Sequence, residues 1–183
     1  LLLKARYPII YIVTNEEERI EYLVNYCAKK YVTRTYYSWD FVDGYQGNPN
    51  DTGFAARNPL EALDLIDKLT PETASLFVLK DYDNFLKDFS IIRKLKNLSR
   101  TLKTQPKNII IVSSELNIPD SLKEFITVIE FPLPNYGEIL EELNRLLSSL
   151  QQKISDETLN NIATACQGLS LERIRRVLSK VIA

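Results

Sequence analysis

Ile9-Ile10-Tyr11-Ile12-Val13-Thr14-Asn15-Glu16-Glu17-Glu18-Arg19 is a β-rich apolar run that passes at once into a polar, acidic segment. An unbroken apolar run of this length suits a strand covered on both faces. Thr14 with Glu17 forms a capping-box pattern, which predicts a helix running to about Lys30. The opening unit is therefore strand, then helix. Whether the unit repeats decides the fold class.

It repeats. Thr33 to Trp39 is rich in β-branched and aromatic residues, and Asn58-Pro59 with Glu61 combines an N-cap, a first-turn proline and a third-position acid ahead of a helix to about Leu69. Ser75-Leu76-Phe77-Val78-Leu79 reads as a third strand. A helix from about Ser90 to Lys103 follows, with Ile91, Ile92, Leu95, Leu98 and Leu102 on its apolar face. Asn108 to Val112 is a fourth strand and Ile126 to Phe131 a fifth. Alternation of this kind predicts a doubly wound, five-stranded, mostly parallel sheet flanked by helices. After Pro132 and Pro134 the pattern becomes helix alone: Tyr136 to Leu150, Asp156 to Cys166 behind Ser155, and Leu171 onward behind Ser170, with Gly168 as a left-handed stop. The expected division is an α/β domain over 1–134 and a small all-helical lid over 135–183.

Composition narrows the function. The 183 residues carry 23 Lys plus Arg against 24 Asp plus Glu, a net charge of −1 that gives no general field for nucleic acid or anionic membrane. No apolar run approaches the roughly 20 residues of a membrane span, and Leu1-Leu2-Leu3 lacks the flanks of a signal peptide. The chain has no His, which excludes Ser-His hydrolases and His-ligated metal enzymes. Cys27 and Cys166 sit singly among apolar residues of predicted helices and read as buried, reduced thiols. With no Met, and a last helix still periodic at Ala183, a further domain is expected beyond this segment.

The order of parts and several strings resemble the AAA+ family over essentially the whole chain. Ile129-Glu130-Phe131-Pro132-Leu133-Pro134-Asn135 is similar to the end of an AAA large domain, and Gly168-Leu169-Ser170 to the turn before the last lid helix. More narrowly, Ala5-Arg6-Tyr7-Pro8-Ile9-Ile10-Tyr11, Trp39-Asp40-Phe41 and Glu115-Leu116-Asn117-Ile118-Pro119 resemble the N-terminal half of an AAA-domain protein family encoded in algal plastids and cyanobacteria. That resemblance implies plastid stroma or cyanobacterial cytoplasm, a ring-forming partner, and an intact ATPase module after this region. ATP and Mg²⁺ would belong to that module, and no cofactor, metal or catalytic residue is expected in this chain.

The resemblance also states what to look for and does not find it. A phosphate-binding loop needs glycines for close backbone approach and a lysine to reach the terminal phosphates. Thr14-Asn15-Glu16-Glu17-Glu18-Arg19 has neither. The third strand, where an AAA domain ends in Asp-Glu, ends here in Lys80-Asp81-Tyr82-Asp83. Asp81, Asp83 and Asn117 remain as relic candidates. Ser113 and Ser114 lie with Asn117 in the stretch where the family keeps a phosphate sensor, but the spacing from the strand is about one residue long. Arg173, Arg175 and Arg176 include a sensor-2-like candidate or form a solvated basic face.

Two further stretches are candidates for partners. The 16 residues Val42 to Arg57 read as a long Gly- and Asn-rich loop in the place of the family's pore loop, with Tyr45 and Phe54 as contacts for a polymer or partner. Arg93, Lys94, Lys96, Arg100, Lys103 and Lys107 form the densest basic cluster, with Lys96, Arg100 and Lys103 as contacts for an acidic protein or nucleic acid. Protein partners or self-association rank first. The leading expectation is a degenerate, non-catalytic module serving assembly, regulation or partner binding; the alternatives are a divergent nucleotide-binding ATPase and an ATP-inert adaptor.

Overall fold

The computed structural model describes residues 2–5, 7–48 and 50–182. Arg6 of the string above, Pro49 of the 42–57 stretch, Leu1 and Ala183 lie outside the described residues. Contacts divide the chain into two compact units, Leu1–Phe131 and Pro132–Ala183.

The first unit runs β1 (Ile9–Val13), α1 (Glu17–Tyr31), β2 (Thr35–Asp40), β3 (Gly44–Gln46), α2 (Pro59–Lys68), β4 (Ser75–Lys80), α3 (Phe89–Thr101), β5 (Lys107–Ser113) and β6 (Thr127–Glu130). The sheet order is β3-β2-β4-β5-β1-β6, and every pairing is parallel except β2 with β3. The two-residue period of a strand sorts the core. Ile9 and Tyr11 face Ala62, Leu63 and Ile66 of α2 and Ile91, Leu95 and Leu98 of α3, while Ile10 and Ile12 face Ile20, Val24 and Ala28 of α1. Each buried Ile or Leu contributes about 1.5–3 kcal/mol relative to exposure, so both faces of the sheet hold their helices. The chain leaves β1 toward β2 on one side and reaches β6 on the other, which opens a switch point at the carboxyl ends of β1 and β5.

The α/β class, the mostly parallel sheet and the following helices are as expected, with one strand more than expected. β3 arises inside the stretch read as a structureless loop. Asp40 Oδ1 accepts from the backbone N–H groups of Val42 (2.9 Å) and Asp43 (2.8 Å), which folds the turn and brings Tyr45 opposite Trp39. Tyr45 is completely buried and its hydroxyl donates to the Ala62 carbonyl at 2.6 Å. It therefore offers no surface to a partner, which corrects its place among the contact candidates. Phe54 is half-buried against the same core, under the Lys68 ammonium. Gly44 holds φ +69°, and a Cβ there would lie 2.5 Å from the Phe54 carbonyl oxygen.

Smaller differences have local causes. The Thr14 hydroxyl accepts from the Glu16 N–H at 2.9 Å and so makes a tight turn in place of the capping box; α1 begins at Glu17 with no side-chain cap. Asn58 and Ser155 do cap their helices, and Gly168 holds φ +85°. Cys166 is buried and Cys27 half-buried, both as free thiols.

The second unit is α4 (Tyr136–Ser149), α5 (Asp156–Ala165) and α6 (Leu171–Ile182) around Ile139, Leu143, Ala163, Cys166, Ile174 and Leu178. A full capping box, Asn135 with Glu138, starts α4. Glu142 ties α4 to α6. It accepts from Arg145 at 2.6 and 2.9 Å and from Arg175 at 2.6 Å. The Arg145 bonds, and then those of Arg175, outweigh burial and hold its carboxyl down at about 2.

Two outcomes follow from this packing. Gly44→Ala is expected to lower stability by about 1–3 kcal/mol in urea unfolding. Gly53→Ala, at φ +79° but with open space around its Cβ, is expected to cost less. A depressed carboxyl contributes stability above its unfolded value and loses it as pH falls toward the folded one. The acid sensitivity of the helical unit between about pH 4.5 and 2 is therefore expected to shrink in Glu142→Gln, as read by circular dichroism.

Candidate functional site

At the carboxyl ends of β2 and β4, beside the start of α1, an open cleft of about 400 Å³ is lined by Glu17, Asp40, Phe41, Val42, Lys80, Asp81, Asn84 and Phe85. Lys80, the last residue of β4, sets its charge pattern. Its Nζ lies 3.5 Å from Glu21 Oε1, 3.6 Å from Glu17 Oε1 and 3.9 Å from Asp40 Oδ2. One ammonium thus joins α1, β2 and β4. Burial by itself lowers the basicity of Lys80, but Glu21, Glu17 and Asp40 together outweigh it and raise the amine above its ordinary value. Glu21 is itself positioned by the Ser38 hydroxyl, which donates to it at 2.7 Å.

The carboxylates are crowded. Burial pushes the Glu17 carboxyl up, with Lys80 pulling against it and Glu21 and Asp81 adding to it. Burial likewise pushes Asp81 up, followed by repulsion from Asp83. Opposite them, Phe41 stacks on Phe85 with ring centres 5.3 Å apart and planes 25° from parallel.

The turn from β1 into α1 is closed by its own bonds. The Thr14 N–H donates to the Ser113 carbonyl at 2.9 Å and the Glu16 N–H to the Thr14 hydroxyl. Arg19 pairs with Glu16 at 2.8 Å and lies 4.5 Å over the Phe131 ring. A triphosphate needs free backbone amides and a cation at this turn. The residues present do not fit it: two of those amides are engaged and carboxylates crowd the helix start.

The relic candidates separate into two places. Asp81 is exposed on the cleft, with φ +53° and its N–H donating to the Val112 carbonyl at 2.8 Å. Asp83 is buried on a 3₁₀ turn, Tyr82–Phe85, and accepts from Asn117 Nδ2 at 3.0 Å; its second oxygen has no hydrogen-bond partner. Asn117 also donates to Glu115 at 3.2 Å, and its N–H to the Tyr11 hydroxyl at 3.4 Å. Tyr11, whose hydroxyl donates to the Glu115 carbonyl, has its acidity weakened chiefly by burial. Asp83 and Asn117 thus meet, 34 residues apart in sequence. Among the described residues, no group of three Asp, Glu, Cys or His side chains is placed to hold a metal ion.

The basic cluster is broken up. Lys94 pairs with Asp64 and Asp67 at 3.0 and 2.7 Å. Lys107 is buried, donating to the Ile66 and Leu69 carbonyls at the end of α2, which removes it from any surface patch. Lys96 lies 5.6 Å over the Phe125 ring, leaving Arg100 and Lys103 as its exposed neighbours. In the helical unit Arg176 pairs with Glu172 at 3.1 Å and Arg175 with Glu142. Sequence reading assigned no site role to Glu21, Asp40, Phe41 or Tyr11, although the strings Trp39-Asp40-Phe41 and Lys80-Asp81-Tyr82-Asp83 both touch this site.

Comparison with known proteins agrees with the fold. The family described as SpoVK-like AAA ATPase, N-terminal domain, matches residues 1–131, and its second domain matches residues 137–183. The "Uncharacterized AAA domain-containing protein ycf46" of Trieres chinensis is 60% identical over the whole chain, which covers 37% of that protein. The protein of the same name from Guillardia theta is 54% identical, again over the whole chain and 36% of its own length. The chain thus spans little more than a third of these relatives, which are encoded in algal plastids. Among solved structures, the ADP complex of the FIGL-1 AAA domain aligns with TM-score 0.65 at 11% identity, over 93% of this chain and 58% of that one. A chain of the Escherichia coli MS115-1 HORMA:CdnC:Trip13 complex aligns with TM-score 0.66 at 12% identity, over 97% and 67%. These two likenesses are of fold alone. Among the described residues, no helix is long and apolar enough to cross a membrane. With the two matches covering nearly all of its length, the chain belongs to the SpoVK-like AAA ATPase family, of which it spans the N-terminal and second domains.

Proposed function

We propose that this chain is a nucleotide-inert AAA-type module that serves assembly, regulation or partner binding for an ATPase module in the remainder of a longer protein. The observation that carries the reading is the Lys80 cluster: an internal ammonium joins the start of α1, where a phosphate loop would place its cation, to the ends of β2 and β4. The length of the relatives supports a further module. On this reading ATP and Mg²⁺ act there, self-association or protein contact uses AAA-like packing, and the protein works in the plastid stroma or the cyanobacterial cytoplasm. A second reading, a divergent nucleotide binder, draws on the contact between Asp83 and Asn117. It lacks a cradle for phosphates.

Calorimetric titration of the chain with ATP or ADP and Mg²⁺, to millimolar nucleotide, is expected to show no binding. Saturable binding that Asp81→Asn abolishes would overturn the inert reading in favour of the second. Lys80→Met is expected to lower stability by about 1–2 kcal/mol near neutral pH, because three carboxylates lose their shared cation. The penalty should shrink as pH falls and Glu17, whose carboxyl burial pushes up, takes up its proton.

A further inference from the structure

The cleft beside Lys80 has an aromatic wall as well as an acidic rim, and the wall is partly uncovered. Phe41 is 40% exposed and Val42 65% exposed, and the stacked Phe41–Phe85 pair turns ring surface to the opening. Its volume of about 400 Å³ falls within the range of about 300–1,000 Å³ typical of sites that take small groups. The charge of the opening names the occupant. Glu17, Asp40 and Asp81 line the cleft with Lys80, whose ammonium Glu21 also engages, so negative charge is in surplus. Lys80 is engaged by Glu17, Glu21 and Asp40 and attracts Asp81, which stands exposed at the mouth, without a direct ion pair.

From this cavity, its stacked phenylalanines and its exposed Asp81, we infer that the cleft binds the guanidinium group of an arginine presented by a partner protein. The inference rests on the reading of this end of the sheet as nucleotide-free. Anions are repelled by the rim. A metal ion finds no group of three suitable ligands among the described residues. An ammonium satisfies the charge but cannot lie flat against a ring. A guanidinium does both: it is planar and weakly hydrated, stacks on an aromatic face and can present two N–H groups to one carboxylate. Burial and mutual repulsion raise the Asp81 and Glu17 carboxyls, and an incoming cation relieves that repulsion.

The probe is a short fluorescein-labelled peptide of alternating glycine and arginine, compared by anisotropy with its glycine-lysine counterpart at physiological salt. The arginine peptide is expected to bind about five- to tenfold more tightly than the lysine peptide. Phe41→Ala, at an exposed position, should abolish that preference. Asp81→Asn, which suits the left-handed backbone there, should weaken both peptides. Equal affinities in the unmodified chain, or a preference that survives Phe41→Ala, overturns the inference. A parallel ATP titration separates the two claims. A chain that binds neither ATP nor the arginine peptide keeps the inert reading and loses the arginine site. A chain that binds ATP loses the inert reading, and the peptide ratio still decides the site.

Discussion

Lys80 Nζ sits within 4 Å of carboxylates from two other elements, Glu17 and Glu21 on α1 and Asp40 on β2, and the local order of the strand ends depends on that convergence. Taken singly, each departure from a phosphate-binding arrangement is costly. Carboxylates gathered at the start of α1 without a cation would repel one another, and a lysine at the half-buried end of β4 without carboxylates would carry an uncompensated charge. Together they offset one another in part, since the one ammonium of Lys80 stands among three carboxylates.

A second polar group lies toward β1 and β5. Asp83, Asn117, Glu115 and the Tyr11 hydroxyl are linked by hydrogen bonds in which Asn117 shares its amide between two carboxylates. Asp81 stands between the two groups and belongs to the cleft, since its own N–H is tied to β5 while its side chain faces solvent. The two groups flank the switch point of the sheet, and the second oxygen of Asp83 there has no hydrogen-bond partner.

Most of the fold was legible because it rests on local patterns. The apolar runs of β1, β4 and β5 mark strands buried on both faces, and Asn58 and Ser155 mark helix starts through bonds to residues three positions on. What escaped depends on contacts between distant residues. β3 has three residues in a Gly- and Asn-rich stretch, and its pairing is fixed by Trp39 and by the anchoring of Tyr45 on Ala62. Lys107 read as one more cation of the basic cluster, yet the carbonyls it serves come from the end of α2. Thr14 to Arg19 shows no glycine or lysine of a phosphate-loop pattern in the sequence itself, whereas the meeting of Glu17, Asp40 and Lys80 was not legible, because it arises only once the sheet has formed.

Asp40 shows why the charge cluster and the aromatic wall act as one structure. Its Oδ1 accepts from the N–H groups of Val42 and Asp43, and so builds the turn between β2 and β3. Its Oδ2 faces Lys80. The same turn presents Phe41, which stacks on Phe85 of the 3₁₀ segment that follows Lys80 and Asp81. A carboxylate with both oxygens so occupied transmits position: where Lys80 sits sets where Asp40 sits, and Asp40 sets the turn and the ring it carries. Rigid neighbours enforce this, since Trp39, one residue before Asp40, is wholly buried with its indole N–H donated to the Ala55 carbonyl at 3.0 Å. The wall of the cleft is therefore placed by the same ion pairs that hold Lys80, and a change in either is felt by the other.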